Sequence, residues 1–255
     1  MEAIEISGLQ YVYTDHGRPF TALEQIDLKI NKGEFVCILG RSGCGKTTLL
    51  RLMAGLQLPQ KGSILINGEK VEGPGTDRAV VFQNYALFPW MTVQKNVQFG
   101  IKQARKKLDR HEVREIALEF LEKVGMKDSA GKYPYQLSGG MQQRAAIARA
   151  LAMDTDILLL DEPFGALDVR NRRELQALTE SLWRSSSKTF VFVTHDISEA
   201  VLLADRIIYM TPGEIRSEIP VNLPRPRNLE SPEAKELLRK LTGLFYESGE
   251  WEEER

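Results

Sequence analysis

The feature that most constrains this chain is the run Gly40-Arg41-Ser42-Gly43-Cys44-Gly45-Lys46-Thr47, of the form G-x-x-x-x-G-K-[ST]. An apolar, strand-like stretch from Phe35 to Leu39 enters it, and a helix-compatible stretch from Thr48 to Ala54 leaves it. Strand, glycine loop and helix in that order make a phosphate cradle. The glycines let successive N–H groups converge, and the helix points the positive end of its dipole there. Lys46 then reaches the β- and γ-phosphates of a nucleotide, and the Thr47 hydroxyl can ligate Mg²⁺.

The rest of the chain can be read against that loop. Residues 3–39 are β-rich: Ile4 to Ile6, Leu9 to Tyr13, Leu23 to Ile30 and Glu34 to Leu39 alternate or run apolar. Turn signals at Asp15-His16-Gly17 and Asn31-Lys32-Gly33 separate them. A further β segment, Gly62 to Gly68, ends in the hairpin dipeptide Asn67-Gly68. Ala79 to Gln83 reads as a buried strand that stops on a polar residue. From about Val93 to Lys127 the pattern is helical and charged, with Leu118, Phe120, Leu121 and Val124 spaced to share one face. This predicts a helical subdomain, at about 90–155, inserted into the nucleotide-binding core. Asp156 to Asp161, Thr189 to Thr194 and Arg206 to Met210 are short apolar runs separated by helical stretches, the pattern of parallel strands buried on both faces. The expected fold class is α/β, a P-loop core with a mixed or parallel sheet and an N-terminal antiparallel β subdomain. Residues 1–220 form the domain. A tail, 221–255, opens with Pro224-Arg225-Pro226-Arg227, continues as an amphipathic helix to about Tyr246 and closes on the acidic run from Glu250 to Glu254.

Composition excludes several classes of protein. The 34 Lys+Arg balance 35 Asp+Glu, so no global basic field attracts nucleic acid, and no nucleic-acid partner is expected. No apolar run approaches the roughly 20 residues of a membrane span, and Met1 to Glu5 lacks a basic-then-apolar signal region. A cytosolic chain is expected. Cys37, in a predicted buried strand, and Cys44, in the loop, read as reduced thiols, Cys44 being simply a small side chain there.

Two more stretches carry chemistry. Ile157 to Glu162 puts two carboxylates at the C-terminal end of a buried strand, where ligands of open α/β sheets gather. Asp161 would hold Mg²⁺ opposite Thr47, and Glu162 would polarise a water for attack on the γ-phosphate. In Gln136 to Arg144, Ser138 is a natural N-cap, and Gly139 and Gly140 expose backbone N–H groups at the start of a helix running to Ala152. That is a second anion-binding helix terminus, and one nucleotide does not need two.

The ordered set (phosphate loop, Leu-Ser-Gly-Gly at 137–140, apolar strand ending in Asp161-Glu162) resembles the nucleotide-binding subunit of ATP-binding cassette transporters, from residue 4 to about 215. The resemblance implies ATP and Mg²⁺ as ligands. It implies a head-to-tail dimer, most simply of two identical chains, in which Ser138, Gly139 and Gly140 of one subunit cap the γ-phosphate held by the other. Nucleotide-binding residues are then Gly40, Ser42, Gly43, Cys44, Gly45, Lys46, Thr47 and Thr48. Tyr13 matches the aromatic that stacks on adenine, with Tyr11 as the alternative. Gln83 matches the glutamine that links Mg²⁺ and the attacking water to the helical subdomain. Asp168, in Gly165-Ala166-Leu167-Asp168, falls at the dimer seam, and His195 matches the switch histidine on the γ-phosphate. Arg41, Met141 and Gly165 stand where proline, glutamine and serine are common, and none of them removes a phosphate or metal ligand.

Such a subunit does work only through a membrane permease, and an extracytoplasmic solute-binding protein takes part indirectly. The resemblance therefore places the chain at the cytoplasmic face of the membrane. Tyr85 to Met91 is apolar for a loop and reads either as local core or as a groove receiving a permease helix. Leu87-Phe88-Pro89-Trp90, Leu137 to Arg144, Pro163 to Asp168 and Leu223 to Arg227 are most similar to the nitrate, sulfonate, taurine and bicarbonate importers. Importers of thiamine precursors share much of this, and non-transport cassette ATPases are the remaining alternative. A P-loop kinase or GTPase would have no use for the 137–140 run, and no Asn-Lys-x-Asp stretch is present. The chain ends before the extra β-domain that regulatory versions append, so ligand sensing by this subunit is not expected.

Overall fold

A computed structural model describes residues 1–15 and 18–247; His16 and Gly17 of the first turn signal, and the acidic run from Glu250, lie outside the described residues. The chain divides into two compact units. One takes Met1–Met53, Gln57–Val71 and the chain from Phe192 onward, and the other takes Ala54–Leu56 and Glu72–Val191.

The first unit begins with β1 (Glu2–Asp15), β2 (Arg18–Asn31), β3 (Phe35–Gly40), α1 (Lys46–Met53), β4 (Lys61–Ile66) and β5 (Glu69–Lys70). Strands β2-β1-β4-β5 form an antiparallel sheet. In β2, Ile26, Leu28 and Ile30 are buried while Asp27, Lys29 and Asn31 are exposed, the alternation of a sheet with one wet face. The two expected strands Ile4–Ile6 and Leu9–Tyr13 are one strand. The break between them is a bulge at Gly8, with φ +55° and its N–H donated to Asp27 Oδ1 at 2.8 Å. Asn67 and Gly68 both have positive φ, +50° and +84°, as a type I′ hairpin requires.

The second unit holds β6 (Arg78–Val81), α2 (Val93–Ala104), α3 (Arg110–Lys123), α4 (Gly139–Ala152), β7 (Ile157–Asp161) and α5 (Val169–Arg184), with β6 and β7 parallel. Helices α2, α3 and α4 share one apolar cluster that includes Val97, Ile101, Val113, Ala117, Leu121, Ala145 and Ala148. The buried face of α3 is Val113, Ala117 and Leu121; of the expected Leu118, Phe120, Leu121 and Val124, Leu121 and Val124 are buried in this cluster and Phe120 packs against it, while half-buried Leu118 is off it. Strand β6 ends at Val81, so Gln83 lies two residues beyond it, exposed.

Strand β8 (Thr189–Thr194) leads the chain back to the first unit, which closes with α6 (Ile197–Leu203), β9 (Arg206–Thr211), β10 (Glu214–Pro220) and α7 (Pro232–Glu247). Strand β9 pairs parallel with β3 and antiparallel with β10. All six residues of β3 are buried, and burial, followed by the nearby Glu199 carboxylate, pushes the Cys37 thiol well above its ordinary pKa. It therefore stays a thiol. The tail helix starts at Pro232, eight residues after Pro224, because residues 221–231 are an irregular strap, with bends at 225–226 and a turn at 229–230, that ends where Ser231 caps α7. Among the described residues, no helix is long and apolar enough to cross a membrane.

Candidate functional site

In the first unit the loop between β3 and α1 is shaped by its crowding. A Cβ at Gly45 would stand 2.5 Å from the Ala22 carbonyl oxygen, at φ +108°, and one at Gly40 would stand 2.6 Å from the Met210 carbonyl oxygen. Neither position can carry a side chain. Lys46 is only 4% exposed, and its Nζ donates to the Gly40 and Arg41 carbonyl oxygens, 2.8 Å each. The ammonium thus rests on the loop it would leave to meet phosphate. Cys44 is buried, Thr47 is half-buried, and Ser42 and Gly43 are exposed at the rim. An open cavity of about 650 Å³ lies beside Arg41–Cys44, lined also by Phe20, Tyr209 and Met210.

Tyr13 does not line that cavity. Its hydroxyl lies 3.3 Å from Thr48 Oγ1 and donates to Gln57 Oε1 at 3.1 Å, which holds the ring against the first turns of α1. Burial raises the phenol pKa, but the bonds to Thr48 and Gln57 and the nearby Arg51 outweigh it, and the net shift is downward. Tyr11 packs edge-on against Tyr13, ring centroids 5.0 Å apart. His195, exposed, follows β8 directly. The backbone on either side of it is fixed: Thr194 Oγ1 donates to Glu199 Oε2 at 2.7 Å, and Asp196 caps α6 by accepting from the Ser198 and Glu199 N–H groups.

In the second unit Asp161 ends β7, 7% exposed, and Glu162 follows at φ +42°. A non-glycine residue in the left-handed region costs roughly 1–2 kcal/mol, and such strain collects at functional positions. A Cβ added to Gly165 would lie 3.9 Å from both Gln83 Nε2 and Glu162 Oε2, so the amide and the carboxylate gather around one glycine. Ser138 caps α4 from an extended conformation, its Oγ accepting from Met141 N at 3.4 Å. The Tyr85 hydroxyl would stand 3.0 Å from a Cβ at Gly139, and the Asn171 carboxamide 3.3 Å from one at Gly140. Asn171 also donates to both carboxylate oxygens of Asp168, the cap of α5. The Asn171 N–H first, then its side chain, lowers the Asp168 pKa.

Three residues of this unit make contacts that the sequence did not indicate. Arg149, on α4, donates to the Ala86 carbonyl at 2.7 Å and the Tyr85 carbonyl at 3.3 Å, holding a turn whose two residues have φ +45° and +62°. Tyr85 is the second, its hydroxyl standing against Gly139. The third, Asn96, is fully buried and grips the backbone of Phe88, Met91 and Thr92. A lone polar residue on an apolar helix face was the available signal for Arg149 and Asn96.

Among the described residues no three His, Cys, Asp or Glu side chains gather as a metal site. Thr47 in the first unit, and Asp161 and Gln83 in the second, each carry an oxygen donor of the hard kind that Mg²⁺ takes.

A strand-loop-helix phosphate cradle, an Asp-Glu strand end and a capped Ser-Gly-Gly helix start define a P-loop ATPase of the cassette type. The family model described as "ABC transporter" matches residues 23–165, and the chain belongs to the ATP-binding cassette transporter family, as an ATPase taking ATP with Mg²⁺. It is 46% identical over 244 residues to the uncharacterized ABC transporter ATP-binding protein MJ0412 of Methanocaldococcus jannaschii, across 95% of this chain and 91% of the other. It is 43% identical to the nitrate import ATP-binding protein NrtD of Synechococcus elongatus, across 89% and 86% of the two lengths. Against the bicarbonate transport ATP-binding protein CmpD of Synechocystis the figures are 44%, 95% and 89%. Among solved structures, a dimeric post-hydrolysis state of the ATP-binding cassette MJ0796 bound to ADP and Pi superposes with a TM-score of 0.79 at 35% identity, covering 86% of this chain and 99% of that one.

Proposed function

We propose that this chain is the ATP-hydrolysing subunit of an importer for a small anionic solute, working as a pair of such subunits on a membrane permease. The observation that carries this reading is the likeness, over most of both lengths, to ATP-binding proteins of nitrate import and bicarbonate transport. In this reading Gly40 and Ser42 to Thr48 bind the phosphates, and Tyr13 stacks on adenine. Thr47, Asp161 and Gln83 hold Mg²⁺, which neutralises phosphate charge. Glu162 takes the proton of the attacking water, with Gln83 orienting that water and His195 contacting the γ-phosphate. Ser138, Gly139, Gly140 and Asp168 serve the nucleotide of the partner subunit. The convergence of Gln83 and Glu162 on Gly165 supports their joint role.

We assign residues 1–220 to the ATPase domain, about 90–155 to its helical subdomain and 221–255 to a tail. The cluster shared by α2, α3 and α4 supports the subdomain. Trp90, 70% exposed, and Tyr135, 75% exposed, support a permease-facing surface: Phe88 joins Trp90 to Phe99 at centroid distances of 5.5 and 4.8 Å, and Tyr133 stacks on Tyr135. That surface would bring the chain to the cytoplasmic face of the membrane. The test is native mass spectrometry of the complex purified through this chain in detergent, followed by nitrate- or bicarbonate-stimulated ATPase activity in proteoliposomes. Two copies on a permease, with anion stimulation, are expected. A species with no membrane subunit would overturn the importer reading.

A further inference from the structure

The segment Leu223-Pro224-Arg225-Pro226-Arg227 has no part in the chemistry above, yet Arg227 is 8% exposed, unusual for a guanidinium. Its Nη1 donates to the carbonyl oxygens of Val201 at 2.9 Å, Leu202 at 3.3 Å and Ala204 at 2.5 Å. Arg225 Nη2 donates to the Leu203 carbonyl at 2.6 Å. These four carbonyls are the ones that the end of α6 leaves without partners inside the helix. Two planar cations cover all four, and the sign of their charge suits a helix C-terminus.

The strap is anchored beyond the helix too. Arg225 also donates to Asp205 Oδ1 at 2.9 Å. Asp205 exchanges bonds with Phe35, its N–H to the Phe35 carbonyl at 2.7 Å and its Oδ2 from the Phe35 N–H at 3.0 Å. Phe35 is the first residue of β3, the strand that ends in the phosphate loop. Helix α6 has only seven residues, too few for its internal bonds to fix its course, so its packing on β3 and α7 and the hold on its two ends decide it. Asp196 holds one end, beside His195, and the arginines hold the other.

We propose that Arg225 and Arg227 are positioning residues for ATP hydrolysis, acting through α6 on His195. This rests on the reading of His195 as a γ-phosphate contact. The test uses the full chain with Arg225→Gln and Arg227→Lys, each kept only if it melts cooperatively; Arg225→Gln alone suffices if the other does not fold. Two readouts are taken: the kcat and KM for ATP, and the ring resonance of isotope-labelled His195, one of three histidines, with and without the non-hydrolysable AMP-PNP and Mg²⁺. The expected result is a kcat lowered about 10-fold, with KM and AMP-PNP affinity within about twofold of wild type. The AMP-PNP-induced shift of the His195 ring is expected to be lost. A cap that only stabilises the fold would lower the melting temperature and leave both the kcat and that shift intact, which would overturn the proposal. A lowered kcat with the shift retained would overturn it as well. If the wild-type ring does not respond to AMP-PNP, the His195 reading fails and the proposal with it.

Discussion

At the start of α1, Gly40 and Gly45 are walled in by backbone, the Met210 and Ala22 carbonyls, and the lysine that follows is folded inside. At the start of α4 the neighbours of the glycines are the ends of side chains, the Tyr85 phenol and the Asn171 carboxamide, and the capping serine stands exposed. Both are helix N-termini suited to anions. The difference teaches that the first is a fixed mould and the second an adjustable one, which suits the roles proposed above: the chain's own nucleotide for the first, a closing partner subunit for the second.

The largest effect expected is on chemistry and leaves both cradles intact. Glu162→Gln should lower kcat by roughly 10²–10⁴, the scale of losing a general base, while ATP still binds and drives a stable dimer on size exclusion. Normal turnover would remove Glu162 from that role. The next prediction sets the two cradles against each other. Gly45→Ala should weaken ATP binding at least about 10-fold, since its methyl meets backbone at a strained φ, whereas Gly139→Ala, facing a movable phenol, should cost less than about threefold. Titration with a fluorescent ATP analogue ranks them, and equal losses would erase the contrast. Ser138→Arg should abolish ATP-driven dimerisation in the Glu162→Gln background and leave the affinity for the first nucleotide within about twofold. An unaltered dimer on light scattering would mean that the α4 start does not act across subunits. Smallest of all, Gly165→Ser should keep kcat within about twofold, because its Cβ meets only ordinary contacts of 3.6–3.9 Å.

The same contrast explains what was legible in the sequence. The phosphate loop is a demand on the backbone, and glycines at fixed spacing write such demands directly. Ser138, Asp161-Glu162 and the Asn67-Gly68 hairpin are equally local. What escaped is non-local. Arg149 reaches carbonyls 63 and 64 positions earlier in the chain, and Arg225 and Arg227 reach a helix more than 20 positions back. The strand through Gly8 read as two because a bulge interrupts an alternating pattern as the end of a strand does. The positive φ of Glu162 has no sequence signature, since nothing about a glutamate announces it.

Asn96 carries a consequence for how such a chain can vary. Its carboxamide accepts from the Phe88 N–H and donates among the carbonyls of Phe88, Met91 and Thr92, so the course of the 88–92 loop is set from below, by one buried residue. The exposed side chains at Pro89 and Trp90 then sit on a loop whose backbone they do not themselves hold. On the proposed permease-facing reading, such a chain would be refitted to a different membrane partner by changing those two surface residues, with Asn96 and the frame beneath them untouched.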